Sequence, residues 1–249
     1  MARHEYIASA LGELSIFVPI VLGLRIFRNN NEAKKTLRTG FSPIFILPLF
    51  LLPICLQTYT TLFTFPLEAL FDAIPWSHHP ISVKTASGIL EYIIRVLTIC
   101  IIPAITEEFL CRGIILRMLK PYGLAAAILF SALAFAILHF SLYSFPAIFM
   151  LGILFAAIKL LTGSIWACIF AHFSNNLWAI TLPLIKMPQI ADAVVSGIFV
   201  ILFPLLFVML LKFTSYTPEK RAFPPRKTGF SPELAICLVL FTAISILNL

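Results

Sequence analysis

The stretch PAITEEFLCRGIILRMLK, residues 103–120, sets Glu107, Glu108 and Arg112 inside a run whose other side chains suit a membrane-spanning helix. A charge at the centre of such a helix costs on the order of 2.5 to 3.5 kcal/mol, so three uncompensated charges would cost about as much as the whole stability of a domain. Part of the compensation is local. Glu108 and Arg112 stand at i, i+4 with the acid N-terminal, the better orientation for an intrahelical ion pair. Glu107 lies about 100° further round the helix and falls outside that pairing. A carboxylate turned into a membrane bundle is a candidate functional group. The plainer alternative is that it glues two helices together.

The rest of the chain has a membrane composition. Of its 249 residues 60% are hydrophobic and 12% charged, and the mean hydropathy is +1.00; soluble domains run at about 45 to 50% apolar and 25% charged. The pattern predicts one all-α, polytopic membrane domain over residues 1–249, with about eight transmembrane helices around a buried polar site. Its spans fall over 7–27, 41–63, 86–120, 123–143, 145–161, 165–182, 190–212 and 232–249, and Pro103 is a candidate kink or break. The net charge of +7 sits mostly in short stretches flanking apolar runs, where it sets orientation, so no nucleic-acid partner is expected. Arg25, Arg28, Lys34, Lys35 and Arg38 hold the loop after the first span in the cytoplasm, which places both termini outside. Cys55, Cys100, Cys111, Cys168 and Cys237 lie in apolar segments without metal-site spacing and read as small buried hydrophobes.

Several polar features read as structural. His78 and His79 fall in a solvated outer loop, and Glu91 with Arg95 repeats the i, i+4 ion pair near the outer end of its span. A short repeat, TGFSP at residues 39–43 and 228–232, marks two helix starts with Pro in the first turn. Glu13, in the first span, has no assigned role.

Two further spans carry histidine at membrane depth: His139 in FAILH, residues 135–139, and His172 in HFSNN, residues 172–176. At ~1.5 Å per residue, Glu107, His139, His172 and Asn176 come at depths that bracket the bilayer midplane, with tilt or a kink needed to bring the two imidazoles together. His172 and Asn176, at i, i+4, share one helix face. Each residue alone has a structural explanation: a histidine bonded to a carbonyl, an asparagine joining helices, an acid kept protonated. Together they make up what amide hydrolysis requires, namely a carboxylate and an imidazole to activate water and donors for the oxyanion. One water can serve both groups only if Glu107 and His139 lie within about 10 Å of each other and do not face lipid.

Taken in order, EEFLCR at 107–112, FAILH at 135–139 and HFSNN at 172–176 resemble the EExxxR, FxxxH and HxxxN motifs of the CPBP family, the CAAX prenyl endopeptidases, bacteriocin-processing enzymes and their relatives, also called ABI proteins. TGSIW at 162–166 is similar to the family's approach to the third motif, and the resemblance covers residues 103–180, the expected core of the protease motifs. The resemblance implies an intramembrane protease of the plasma (inner) membrane with a cavity open to the cytoplasm. Glu107 and His139 would activate water, His172 and Asn176 would stabilise the oxyanion, and Glu108 with Arg112 would brace the helix and position substrate. The substrate would be a peptide or protein, potentially with a lipidated C-terminus, met among membrane lipids.

Glu107, His139 and His172 would also make a His2Glu set of the kind that holds catalytic zinc. There is no HExxH, however, and the family has been described both as metalloproteases and as glutamate-dependent. The reading taken is metal-free and without cofactor, with zinc as its alternative. Two other classes use the same residue types: a non-catalytic immunity or scaffold protein that binds a hydrophobic peptide, and a proton-coupled transporter.

Overall fold

The computed structural model describes residues 40–72, 86–139, 141 and 144–214. These residues form helices without strands: α1 (Ile46–Asp72), α2 (Ile89–Tyr122), α3 (Leu124–Ile137), α4 (Phe145–Thr162), α5 (Ile165–Thr181) and α6 (Gln189–Phe213). Among the described residues four segments are long and apolar enough to cross a membrane, namely Pro43–Thr61, Ile89–Tyr122, Phe145–Thr162 and Gln189–Phe213. The expected spans over 7–27 and 232–249 lie outside the described residues, as do Glu13, His78, His79, Cys237 and the second TGFSP.

Local chemistry sets the helix boundaries. Pro43 opens the turn leading into α1, and the Ser87 N–H and hydroxyl both donate to Glu91 Oε2 at the start of α2, at 2.8 and 2.5 Å. The Glu91–Arg95 ion pair forms at 2.5 Å. The TGSIW segment is a stop followed by a start: Gly163 ends α4 in the left-handed region at φ 68°, and the Ser164 hydroxyl caps α5 by accepting from the Ala167 N–H at 3.3 Å. Lys159 Nζ adds a bond to the Gly163 carbonyl at 2.6 Å.

α5 lies at the centre, against α1, α2 and α4; α3 packs on α4 and α2, and α6 covers α1 from outside. Leu49, Leu52, Phe135, Phe155, Ile158 and Ala171 form the middle of the core. The outer face of α6, with Ile190, Val194, Ile201 and Leu205, stays exposed, as a lipid-facing helix requires. Helices α3 and α4 touch most closely where Gly152 faces Ala132; a Cβ at Gly152 would come within 2.8 Å of Ala132 Cα.

α2 does not break at Pro103. It widens into π-helical turns over Val96–Ile101 and again over Phe109–Ile115. A helical proline leaves the carbonyl four residues earlier without its N–H partner, a loss that neighbouring helices can repair in a membrane. For Pro103 that carbonyl is Ile99, which accepts from Asn176 Nδ2 at 3.0 Å. For Pro204 in α6 it is Val200, which accepts from the Tyr59 hydroxyl at 2.5 Å. Ser131 donates likewise to the Cys111 carbonyl in the second π stretch, at 2.9 Å. α3 ends six residues short of the expected 143. Its 14 residues cover about 21 Å, less than the ~30 Å of a hydrocarbon core, and the chain turns at Leu138 and His139.

The close α3–α4 approach yields a stability test. Gly152→Ala is expected to destabilise the protein by about 1 to 3 kcal/mol through overpacking. Gly197→Ala, where nothing lies within 4 Å of the added methyl, should be neutral or stabilising. Thermal unfolding of the two purified variants in one detergent checks the contrast.

Candidate active site

The second π stretch of α2 begins directly after Glu108. Arg112 Nη1 donates to Glu108 Oε1 at 2.7 Å, with both side chains 0% exposed. Arg112 Nη2 donates to the Gly152 carbonyl at 2.9 Å. The guanidinium lies over the Phe135 ring at 4.4 Å and the Phe155 ring at 5.3 Å from their centroids, a cation–π environment from two helices. The close α3–α4 contact is what brings both rings and the Gly152 carbonyl onto this one side chain.

Glu108 Oε1 takes a second bond, from His172 Nδ1 at 3.0 Å, tying α5 to α2. The His172 ring stacks on Phe155 at 5.1 Å and meets the Phe135 edge at 5.3 Å. Glu108 therefore does more than pair with Arg112 as the sequence suggests. It also fixes a histidine that only the tertiary fold could deliver.

His139 sits two residues past the end of α3, in the turn, with Nδ1 3.0 Å from the Phe135 carbonyl. A carbonyl oxygen only accepts, so Nδ1 carries the hydrogen, and in the neutral ring Nε2 holds the lone pair. That Nε2 is 3.9 Å from Glu107 Oε2; the Glu107 side chain is 8% exposed and that of His139 32%. Glu107 and His139 thus meet well inside the 10 Å limit, with the imidazole towards the open side.

The structure brings the sequence-identified residues into two adjoining groups, Glu107 with His139 and Glu108 with Arg112 and His172, joined through Phe135. Asn176 stands one turn from His172, but one of its amide hydrogens is on the Ile99 carbonyl and its Oδ1 accepts from Asn175 Nδ2 at 3.2 Å. Of the candidate zinc set, Glu107 and His139 lie together, while His172 gives its Nδ1 to Glu108 and keeps Nε2 for another partner. Among the described residues no group of three or more His, Cys, Asp or Glu side chains is gathered closely enough to hold a metal ion. Phe155, Gly152, Asn175 and Gln57 were missed. An aromatic or a glycine within an apolar run carries no sequence signal of its own, whereas the doubled Asn175-Asn176 in a spanning helix was a visible one.

Residues 89–178 match the protein-family model described as type II CAAX prenyl endopeptidase Rce1-like. The match makes this segment similar to that family. No curated protein and no solved structure matches the chain. The Rce1-like segment runs from the first turn of α2 into α5 and contains all three motifs, in keeping with the CPBP resemblance. With the apolar helices, it makes this an integral membrane protein.

The buried charge cluster has a measurable consequence. Arg112→Met removes the guanidinium and leaves Glu108 buried beside His172 alone, which is expected to cost about 3 to 5 kcal/mol. Adding Glu108→Gln should recover part of that loss. A double-mutant cycle on thermal unfolding reads the coupling.

Proposed function

We propose that the protein is an intramembrane endopeptidase that hydrolyses a peptide bond near the cytoplasmic leaflet, with Glu107 and His139 activating the attacking water. The observation carrying this reading is the 3.9 Å approach of Glu107 Oε2 to His139 Nε2 beside the more exposed face of His139. A water at ~2.8 Å from each atom would subtend about 90° between them and could give one hydrogen to each acceptor, once a small side-chain movement admits it to the buried Oε2.

In the proposed step the water oxygen bonds to the peptide carbon while its proton passes to the Glu107–His139 pair. The carbonyl becomes an oxyanion. His172 and Asn176 stabilise it: Glu108 holds the Nδ1 hydrogen of His172, so donation from Nε2 uses the doubly protonated ring, and Asn176 contributes its second amide hydrogen. The C–N bond then breaks as the held proton moves to the leaving amine. Glu108 and Arg112 position His172 and brace α2. The proposed step runs without zinc or another cofactor.

The family description supports a CAAX-protease-like substrate, a peptide with a lipidated C-terminus that reaches the site among membrane lipids. We place the protein in the plasma (inner) membrane, with the site open to the cytoplasm and both termini outside.

Glu107→Gln should lower cleavage by about 10² to 10⁴-fold while leaving the thermal midpoint in place. Reconstituted protein and a lipidated C-terminal peptide provide the assay. Ion flux abolished by the same change, with no cleavage in the wild type, would support transport instead. Cleavage should also persist in a strong chelator; stoichiometric zinc in the purified protein together with chelator-sensitive turnover would overturn the metal-free mechanism.

A further inference from the structure

Asn176 belongs to a directed chain of side-chain amides. Gln57 Nε2, on α1, donates to Asn175 Oδ1 at 2.8 Å. Asn175 Nδ2 donates to Asn176 Oδ1 at 3.2 Å, and Asn176 Nδ2 donates to the Ile99 carbonyl at 3.0 Å. The far end fixes the direction of the whole chain. The Ile99 carbonyl only accepts, and Pro103 has no N–H to offer it, so the Asn176 atom facing it must be nitrogen. The Asn176 oxygen then faces Asn175 and requires a donor there, which turns the Asn175 oxygen towards Gln57. The three bonds, one donated from α1 and two from α5 with the last ending on α2, run in the same sense, and aligned hydrogen bonds of this kind polarise one another.

Asn176 makes no other hydrogen bond as a donor among the described residues, so its second amide hydrogen is left for a ligand. Rotating the carboxamide by half a turn would set oxygen against the Ile99 carbonyl and nitrogen against the Asn175 donor. Both contacts would repel. Which atom Asn176 presents is therefore set by the Ile99 carbonyl, and Gln57, on α1 outside the matched segment 89–178, holds the Asn175 donor that keeps the carboxamide there.

We infer that Gln57 is a positioning residue, which acts through Asn175 to hold the Asn176 carboxamide with its N–H side directed as an oxyanion donor. The kinetic part of this inference rests on the hydrolase reading above. The orientation part does not.

Both are tested on the full chain in detergent. In Gln57→Met the nitrogen-15 signals of the Asn175 and Asn176 side-chain amides should move, with the thermal midpoint unchanged. With the lipidated peptide, kcat should fall by about tenfold while KM stays within about twofold, since a donor used on the oxyanion acts on the transition state. Combining Gln57→Met with Asn176→Ala should cost no more than Asn176→Ala alone. Amide signals that stay in place overturn the inference, and so do kcat losses that multiply in the double variant. If the wild type cleaves nothing, the hydrolase reading fails while the amide signals still decide whether Gln57 orients Asn176.

Discussion

Two carboxylates and a guanidinium held within a membrane bundle have to be solvated by the protein, and most of the described architecture follows from that requirement. Arg112 meets a carboxylate from its own helix, a backbone carbonyl from α4, and the faces of Phe135 and Phe155 from α3 and α4, while its Nε has no hydrogen-bond partner among the described residues. The carbonyl and the two rings would not reach it if α3 and α4 could not close on each other at Gly152. Glu108 shares its Oε1 between Arg112 and His172, so the charge compensation is also the joint between α2 and α5.

The same economy appears in the backbone. Prolines and π turns leave carbonyls short of donors where no water is at hand, and side chains from other helices supply them: Asn176 for Ile99, Tyr59 for Val200, Ser131 for Cys111. Each repair fixes how two helices sit together. Pro103 lies one turn before Glu107, so the bond that caps its orphaned carbonyl also helps set where that carboxylate stands. Polar groups that look costly in an apolar sequence act here as the pegs that register one helix against the next.

Much of this was legible in the chain itself. The bounds of α2, α4, α5 and α6 fall within a few residues of those expected, because an apolar run interrupted by Pro, Gly and Ser leaves little freedom in where a membrane helix starts and stops. The Glu108–Arg112 pair was visible as an i, i+4 spacing and is present. α3 was misjudged at its end: FAILHFSLY continues the apolar pattern, yet the helix stops at Ile137, and hydropathy has no term for a turn made inside a hydrophobic stretch. The zinc alternative came from residue types alone. What residue types could not show is that His172 gives its Nδ1 to Glu108, a contact across 64 positions of sequence.

The membrane setting, the helices and the order of the polar motifs are written in the chain, since hydropathy and short-range spacing are properties of neighbouring residues. The partners come from the packing of helices: Glu107 faces His139, Glu108 holds His172, and Asn176 answers to Ile99 and, through Asn175, to Gln57. Such pairings depend on how closely helices approach and on which face each one buries, and a lone glycine at a crossing or a carbonyl orphaned by proline shifts both without leaving a periodic trace in the chain.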